Sequence, residues 1–186
     1  QTRGMQDASE SVKRQRRRGL ALPDGEPVPA DGALPPGARS GVGRSGFGVY
    51  VHVPFCATRC GYCDFNTYTA EDLGGGAARE AYADTVLAEL ALAARVLGGE
   101  PPPRVETVFV GGGTPTLLPP DDLARILEGI DKTWGLAGDA EVTTEANPES
   151  VDRAALRARS AAGYTRISLG MQSAAPHVLA VLDRKH

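Results

Sequence analysis

Four times along this chain a run of β-branched and aromatic residues gives way to a segment with helical periodicity. That alternation constrains the fold more than anything else in the sequence. Residues 47–53 (FGVYVHV), 105–110 (VETVFV), 140–145 and 165–169 (TRISL) read as strands. The first helix covers residues 79–97 and places Tyr82, Val86, Leu90 and Leu97 on one face, with Ala93 and Ala94 beside them. Gly98-Gly99 stops it, and the three prolines that follow keep it stopped. The second starts near Pro120 with Asp121 and Asp122 in its first turn, where acids suit the helix dipole. Its apolar face carries Leu123, Ile126, Leu127, Ile130 and Trp134. Residues 150–162, closed by Gly163, form the third helix, and residues 176–184 begin the fourth. Alternating βα units imply an α/β fold with a parallel sheet and right-handed crossovers. Four units do not close a barrel, so the pattern fits a small open sheet or the first part of a larger barrel. Either way, ligands bind at the carboxyl ends of the strands.

The motifs fall where that rule puts them. Directly after the first strand comes Cys56-Ala-Thr-Arg-Cys60-Gly-Tyr-Cys63, a C-x3-C-x2-C loop. A structural zinc site wants four ligands, usually as two separated pairs, and there is no second pair. His52 is a conceivable fourth ligand, but it sits in the strand with Pro54 between it and the loop. A bacterial ferredoxin loop needs a fourth cysteine and a different spacing. Three thiolates can hold a [4Fe–4S] cubane and leave one iron open, and an open metal position marks a site that binds something else.

After the second strand comes Gly111-Gly112-Gly113-Thr114-Pro115-Thr116. Its glycines let the backbone approach a ligand and present N–H groups. It is not a Walker A loop, because no Gly-Lys-Ser/Thr follows. Glu145 ends the third strand in Glu145-Ala-Asn147-Pro148, where a carboxylate can accept ribose hydroxyls while Asn147 caps a helix. Gln172 lies just past the fourth strand. Arg166 lies within that strand and serves equally well as a structural ion pair. Arg184 is a candidate to close the site, although a lone Arg on a helix is usually solvated. Two other matches fail on context. Gly41-Val-Gly43-Arg-Ser-Gly46 precedes a strand instead of following one, and Asn66-Thr67-Tyr68 is not a glycosylation sequon.

Composition bounds the rest. A formal net charge of −3 over 186 residues gives no reason to expect nucleic acid as a main partner. No apolar run is long enough for a transmembrane helix, and the stretch after the basic cluster Lys13, Arg14, Arg16, Arg17 and Arg18 is too short for a signal-peptide core, so the chain reads as cytoplasmic. The odd number of cysteines, packed within eight residues, is poor disulfide arithmetic and good metal-ligand arithmetic. Residues 1–46, basic and then rich in Pro and Gly, read as a disordered, solvated leader ahead of a core at 47–186. A start at Gln1 and an end just inside a helix suggest an incomplete polypeptide.

With these motifs the chain resembles the radical SAM superfamily. The resemblance runs from about Gly48 to His186. It is carried by the cysteine triplet, Gly111 to Thr116, Glu145 to Pro148, Ser168-Leu-Gly-Met-Gln172-Ser173 and Leu182-Asp-Arg184-Lys-His186. It implies a six-unit partial (βα) barrel and an open iron chelated by the amine and carboxylate of S-adenosylmethionine (SAM). Reduction through the cluster then yields a 5′-deoxyadenosyl radical. It further implies that Gly112, Gly113 and Thr114 hold the methionine end of SAM, and that Glu145, Gln172 and Arg184 hold the remainder. Tyr50 and Tyr62 are implied to flank the cluster and SAM. Within the family the likeness is to the branch that holds oxygen-independent coproporphyrinogen III oxidases and heme chaperones. The oxidase type carries a fourth cysteine two positions after the third, whereas here Asp64 and Phe65 follow Cys63. That pattern favours a heme chaperone, with heme, an electron donor and an acceptor hemoprotein as partners and the heme site in a part beyond His186. The oxidase, which decarboxylates coproporphyrinogen III, and a non-catalytic zinc-stabilised module are the alternatives.

Overall fold

The computed structural model describes residues 27, 29–39, 41, 44–58, 60, 63–69, 77–98 and 104–184. The basic cluster near the start and Tyr62 lie outside the described residues. Two units are distinguished, 1–33 and 34–186. In the first, the described residues include a turn closed by Gly32 N–H donating to the Pro29 carbonyl at 3.0 Å.

The second unit holds the βα repeat. Its strands are β1 (Phe47–Val53), β2 (Val105–Gly112), β3 (Leu136–Ala146) and β4 (Arg166–Leu169). Its helices are α1 (Tyr82–Leu97), preceded by a helical turn at Ala77–Glu80, α2 (Pro120–Trp134), α3 (Arg153–Ala161) and α4 (Pro176–Val181). All three strand pairs are parallel, and the spatial order β1-β2-β3-β4 is the order of the sequence. This order separates the two architectures left open above. An unbroken sequential order with right-handed crossovers puts every helix on one face and curls the sheet, as in the wall of a barrel. A doubly wound open sheet reverses direction partway.

The two faces follow from the register. Val49, Val108 and Val142 are in register, as are Val51, Val110 and Thr144. Together with Val53 and Val105 these residues meet Ala83, Val86 and Leu90 of α1 and the stripe Leu123, Ile126, Leu127, Ile130 and Trp134 of α2 in a single core. Burying such a side chain contributes roughly 1.5–3 kcal/mol, so this face stabilises the fold. The opposite face carries a row of Tyr50, Phe109, Thr143 and Arg166, and beyond it His52, Gly111, Glu145 and Ser168. It is the chemical face.

The elements depart from the sequence pattern in four places. β2 runs through Gly111 and Gly112, because the ladder to His52 and Val53 of β1 continues through them. β3 begins at Leu136, where the chain leaves α2 through Gly135. The third helix starts at Arg153, because the Asp152 carboxylate caps it by accepting from Ala155 N–H at 2.7 Å, and Pro148–Ser150 form a separate turn. α4 ends at Val181, so Arg184 lies past the helix and not on it.

Tyr82 pins the end of β1. Its hydroxyl donates to the His52 carbonyl at 2.5 Å and its ring meets Phe55 edge-on at 5.3 Å. Burial, with Glu89 and Tyr50 adding to it, raises this phenol from 10.0 to about 12. Burial also pushes up Tyr164, whose hydroxyl donates to the Leu123 carbonyl at 3.1 Å. The fold therefore holds these protons after the unfolded chain has released them, and stability falls as pH rises from 10.0 towards 12. Urea midpoints at about pH 9 and about pH 11 are expected to show this fall, and Tyr82→Phe is expected to reduce it. An undiminished fall in Tyr82→Phe would clear Tyr82 of the effect.

Candidate functional site: a cavity at the carboxyl ends of the strands

The loops that leave β1, β2, β3 and β4, together with Arg184, line one cavity of about 420 Å³. Of the sequence candidates, Cys56, Cys60, Cys63, Gly112, Gly113, Thr114, Glu145, Gln172 and Arg184 all face it. Tyr50 and Arg166 are not among its lining residues.

The cysteine loop is anchored at both ends. Cys56 N–H donates to the Tyr68 carbonyl at 2.9 Å, Tyr68 N–H donates to the Pro54 carbonyl at 2.7 Å, and Cys63 N–H closes a turn onto the Cys60 carbonyl at 3.0 Å. The three thiols are free and half-buried. Burial raises the Cys56 thiol, the Thr67 and Thr114 hydroxyls lower it by hydrogen bonding, and Cys63 and Cys60 raise it slightly. Among the described residues, no three His, Cys, Asp or Glu side chains close on a single point at metal-ion range.

The glycines after β2 are needed for close approach. Gly113 N–H donates to the Val53 carbonyl and Thr114 N–H to the Phe55 carbonyl, both at 2.7 Å, so β2's exit is stitched to the cysteine loop. A Cβ on Gly113 would stand 2.5 Å from the Phe55 oxygen and 3.0 Å from the Cys56 sulfur. Gly112 has φ +111°, which L side chains rarely adopt, and a Cβ there would meet the His52 ring at 2.7 Å.

The acid Glu145 reaches back across the sheet, where its Oε2 accepts from Gly112 N–H at 2.9 Å. Asn147 is a larger part of the site than a capping role foretells. Its Nδ2 donates to the Thr114 hydroxyl at 3.3 Å and its Oδ1 accepts from Arg184 Nη1 at 2.8 Å. Arg184, a candidate to close the site, has a side chain only 9% exposed and lies 4.0 Å from Glu149. Gln172 holds φ +62°, an uncommon state for a residue with a side chain, and its amide lies beside Gly170 with Asn147 and Arg184.

The residues outside the cavity have structural partners. Arg166 contacts Glu141 at 3.4 Å and Thr143 at 3.3 Å. Tyr50 donates to His52 Nδ1 at 2.8 Å, because Nε2–H of that ring is given to the Asn66 carbonyl, also at 2.8 Å. Burial and the neighbouring Glu145 raise the Tyr50 phenol. Thr58, Asp64, Phe65 and Ser168 also face the cavity. The sequence signalled Asp64 and Phe65 only through their place after Cys63.

This cavity suits an iron–sulfur cluster with a further ligand beside it. Three thiols share its wall, a missing Cβ keeps the space beside the first sulfur open, and a hydroxyl, a carboxylate and a guanidinium are spread over the remainder. The N–H groups of 112–114, expected to be presented to a ligand, are given instead to Glu145, Val53 and Phe55.

Comparison with known proteins agrees. The family described as the Radical SAM superfamily matches residues 50–186. The chain is 57% identical over 140 residues to a heme chaperone HemW of Mycobacterium tuberculosis (strain CDC 1551 / Oshkosh), covering 75% of this chain and 35% of that protein. It is 40% identical over 152 residues to the mitochondrial radical S-adenosyl methionine domain-containing protein 1 of Mus musculus, covering 82% of this chain and 32% of that protein. Against the Escherichia coli (strain K12) HemW it is 37% identical over 138 residues, 74% of this chain and 35% of that one. Among solved structures, coproporphyrinogen III oxidase (HemN) from Escherichia coli superposes with a TM-score of 0.68 at 26% identity, over 80% of this chain and 34% of that one. The chain thus spans about a third of the length of the relatives it matches. Sequential parallel strands, a cysteine triplet at the end of the first and a family match over most of the chain converge on one statement: this protein belongs to the radical SAM superfamily, whose membership implies a [4Fe–4S] cluster and SAM.

Proposed function

We propose that this protein is a heme chaperone of the radical SAM type, which binds heme and delivers it to acceptor hemoproteins in the cytoplasm. The observation that carries this reading is the 57% identity to a HemW over 140 residues of this chain. The run Cys63-Asp64-Phe65 supports it, with an acid and a phenylalanine where the oxidase type has its additional cysteine. Among the described residues no helix is long and apolar enough to cross a membrane, which agrees with this reading.

On this proposal Cys56, Cys60 and Cys63 hold the cluster. When bound, the cluster and SAM supply one-electron chemistry at a sulfonium. The chain's own residues bind and orient. The glycine backbone at 112–113 and the Thr114 hydroxyl receive the methionine end. Glu145 keeps Oε1 for a ribose hydroxyl while Oε2 is held by Gly112. Gln172 and Arg184 close the cavity on the β4 side. Tyr50 flanks the site. Residues 47–186 form the SAM-binding part, 1–46 a leader, and heme is bound by a further part of the full-length protein.

Similarity to HemN supports a second reading, an oxygen-independent coproporphyrinogen III oxidase. One experiment separates the two. Full-length protein, reconstituted anaerobically with iron and sulfide and given an electron donor, is titrated with heme and separately incubated with SAM and coproporphyrinogen III. Stoichiometric heme binding without porphyrinogen turnover is expected. Turnover of coproporphyrinogen III would replace the chaperone reading with the oxidase.

A further inference from the structure

We propose that Asn147 is a positioning residue that locks Arg184, Thr114 and the cysteine loop into one SAM-binding unit. The inference rests on the reading of this cavity as a cluster and SAM site, and it concerns a residue that makes its contribution through others.

Donor and acceptor chemistry fixes the orientation of the Asn147 amide. A guanidinium has donors only, so the Asn147 atom facing Arg184 at 2.8 Å has to be the carbonyl oxygen. The amide nitrogen is thereby turned towards Thr114, to whose hydroxyl oxygen it donates at 3.3 Å. Thr114 is tied in turn to the start of the cysteine loop, because its backbone N–H donates to the Phe55 carbonyl at 2.7 Å. Both side-chain donors point the same way, from the charged Arg184 towards Thr114, and bonds aligned head to tail strengthen one another.

The path also joins pieces that are remote in sequence. Arg184 follows α4, Asn147 follows β3, Thr114 follows β2 and Cys56 follows β1. No other side chain among these links both ends. Gly170 lies against the junction: a Cβ there would be in ordinary contact with Asn147 Oδ1 at 3.5 Å, Gln172 Nε2 at 3.4 Å and Arg184 Nη2 at 3.6 Å. Asn147 is itself fixed from behind, since its backbone N–H donates to the Ser150 hydroxyl at 3.0 Å. Losing it frees Arg184 and Thr114 from each other while leaving all three cysteines in place.

The test compares wild type, Asn147→Ala and Asn147→Ser in the full-length protein after anaerobic reconstitution. Iron content and SAM affinity are measured. Both variants are expected to keep wild-type iron. Asn147→Ala is expected to bind SAM about tenfold more weakly, the loss of a net hydrogen bond or two. Asn147→Ser keeps a hydroxyl that caps the turn at Pro148–Ser150 but is too short to span Arg184 and Thr114. Its SAM affinity is expected to fall with that of Asn147→Ala, whereas a residue that only stabilises the turn would leave Asn147→Ser at the wild-type value. Wild-type affinity in Asn147→Ala overturns the proposal. Should Asn147→Ala fail to fold, wild-type affinity in Asn147→Ser overturns it alone. Wild-type protein that takes up no iron overturns the cluster reading, and this proposal with it.

Discussion

Cys60→Ser is expected to purify without its cluster. Iron falls from about four atoms per chain to near zero, and the brown colour and the SAM-dependent change in the electron paramagnetic resonance spectrum go with it. The reason is arithmetic. Three thiolates are the fewest that hold a cubane with one iron open, and a neutral hydroxyl is a poor replacement for a thiolate on iron. The apoprotein is expected to be unaffected. Cys60 is half-buried in a loop, and the contact that ties it in is its own carbonyl, which accepts from Cys63 N–H at 3.0 Å and survives the substitution. Stability without metal should therefore stay within about 0.5 kcal/mol of wild type. Iron analysis and a denaturant titration of the apo form read the two halves of this expectation. Full iron in Cys60→Ser, or a tightly held zinc in wild type, would remove the cluster from the site.

Gly113→Ala is expected to damage fold and site together. Its new methyl would press to 2.5 Å from the Phe55 carbonyl oxygen, which already accepts from Thr114 N–H, and to 3.0 Å from the Cys56 sulfur. Backbone cannot move aside as a flexible side chain can, so the β2 exit and the cysteine loop separate. Overpacking of this kind costs about 1–3 kcal/mol. The same displacement misplaces Cys56, so reconstituted iron should fall as well. Gly138→Ala is the control, since nothing lies within 4 Å of a Cβ there. A urea midpoint and an iron content in Gly113→Ala equal to those of Gly138→Ala would show that the close approach has no consequence.

Much of this was open to reading before any coordinates. The bounds of β1 and the start of α2 follow from short-range patterns, as does the stripe from Leu123 to Trp134. Local rules suffice there, because a strand's period of two and a helix's period of 3.6 are properties of the backbone itself. The chemistry was legible for a similar reason. Glu145 sits at the end of a strand and Cys56, Gly113 and Gln172 just past one, and parallel βα units gather those ends on one edge whatever the later packing.

Other features were hidden because they depend on atoms far apart in sequence. Gly112 looks like part of a turn until its pairing with Val53 of β1 extends β2 through it. Arg184 looks like a solvated helix residue, yet α4 stops three residues earlier and turns the guanidinium onto Asn147. Asn147 looks like a cap, and half of what it does lies in bonds to partners 33 and 37 residues away.

By itself, then, the sequence determined the βα repeat, the parallel sheet and the thiol loop with its spacing, since each depends on neighbours a few residues apart. Tertiary structure alone decided that the strands lie in sequential order with their helices on one face. It also decided that a buried arginine and an asparagine complete the cavity. Those outcomes come from how helices pack across a sheet and which donors then find acceptors, and no short window of sequence contains both partners.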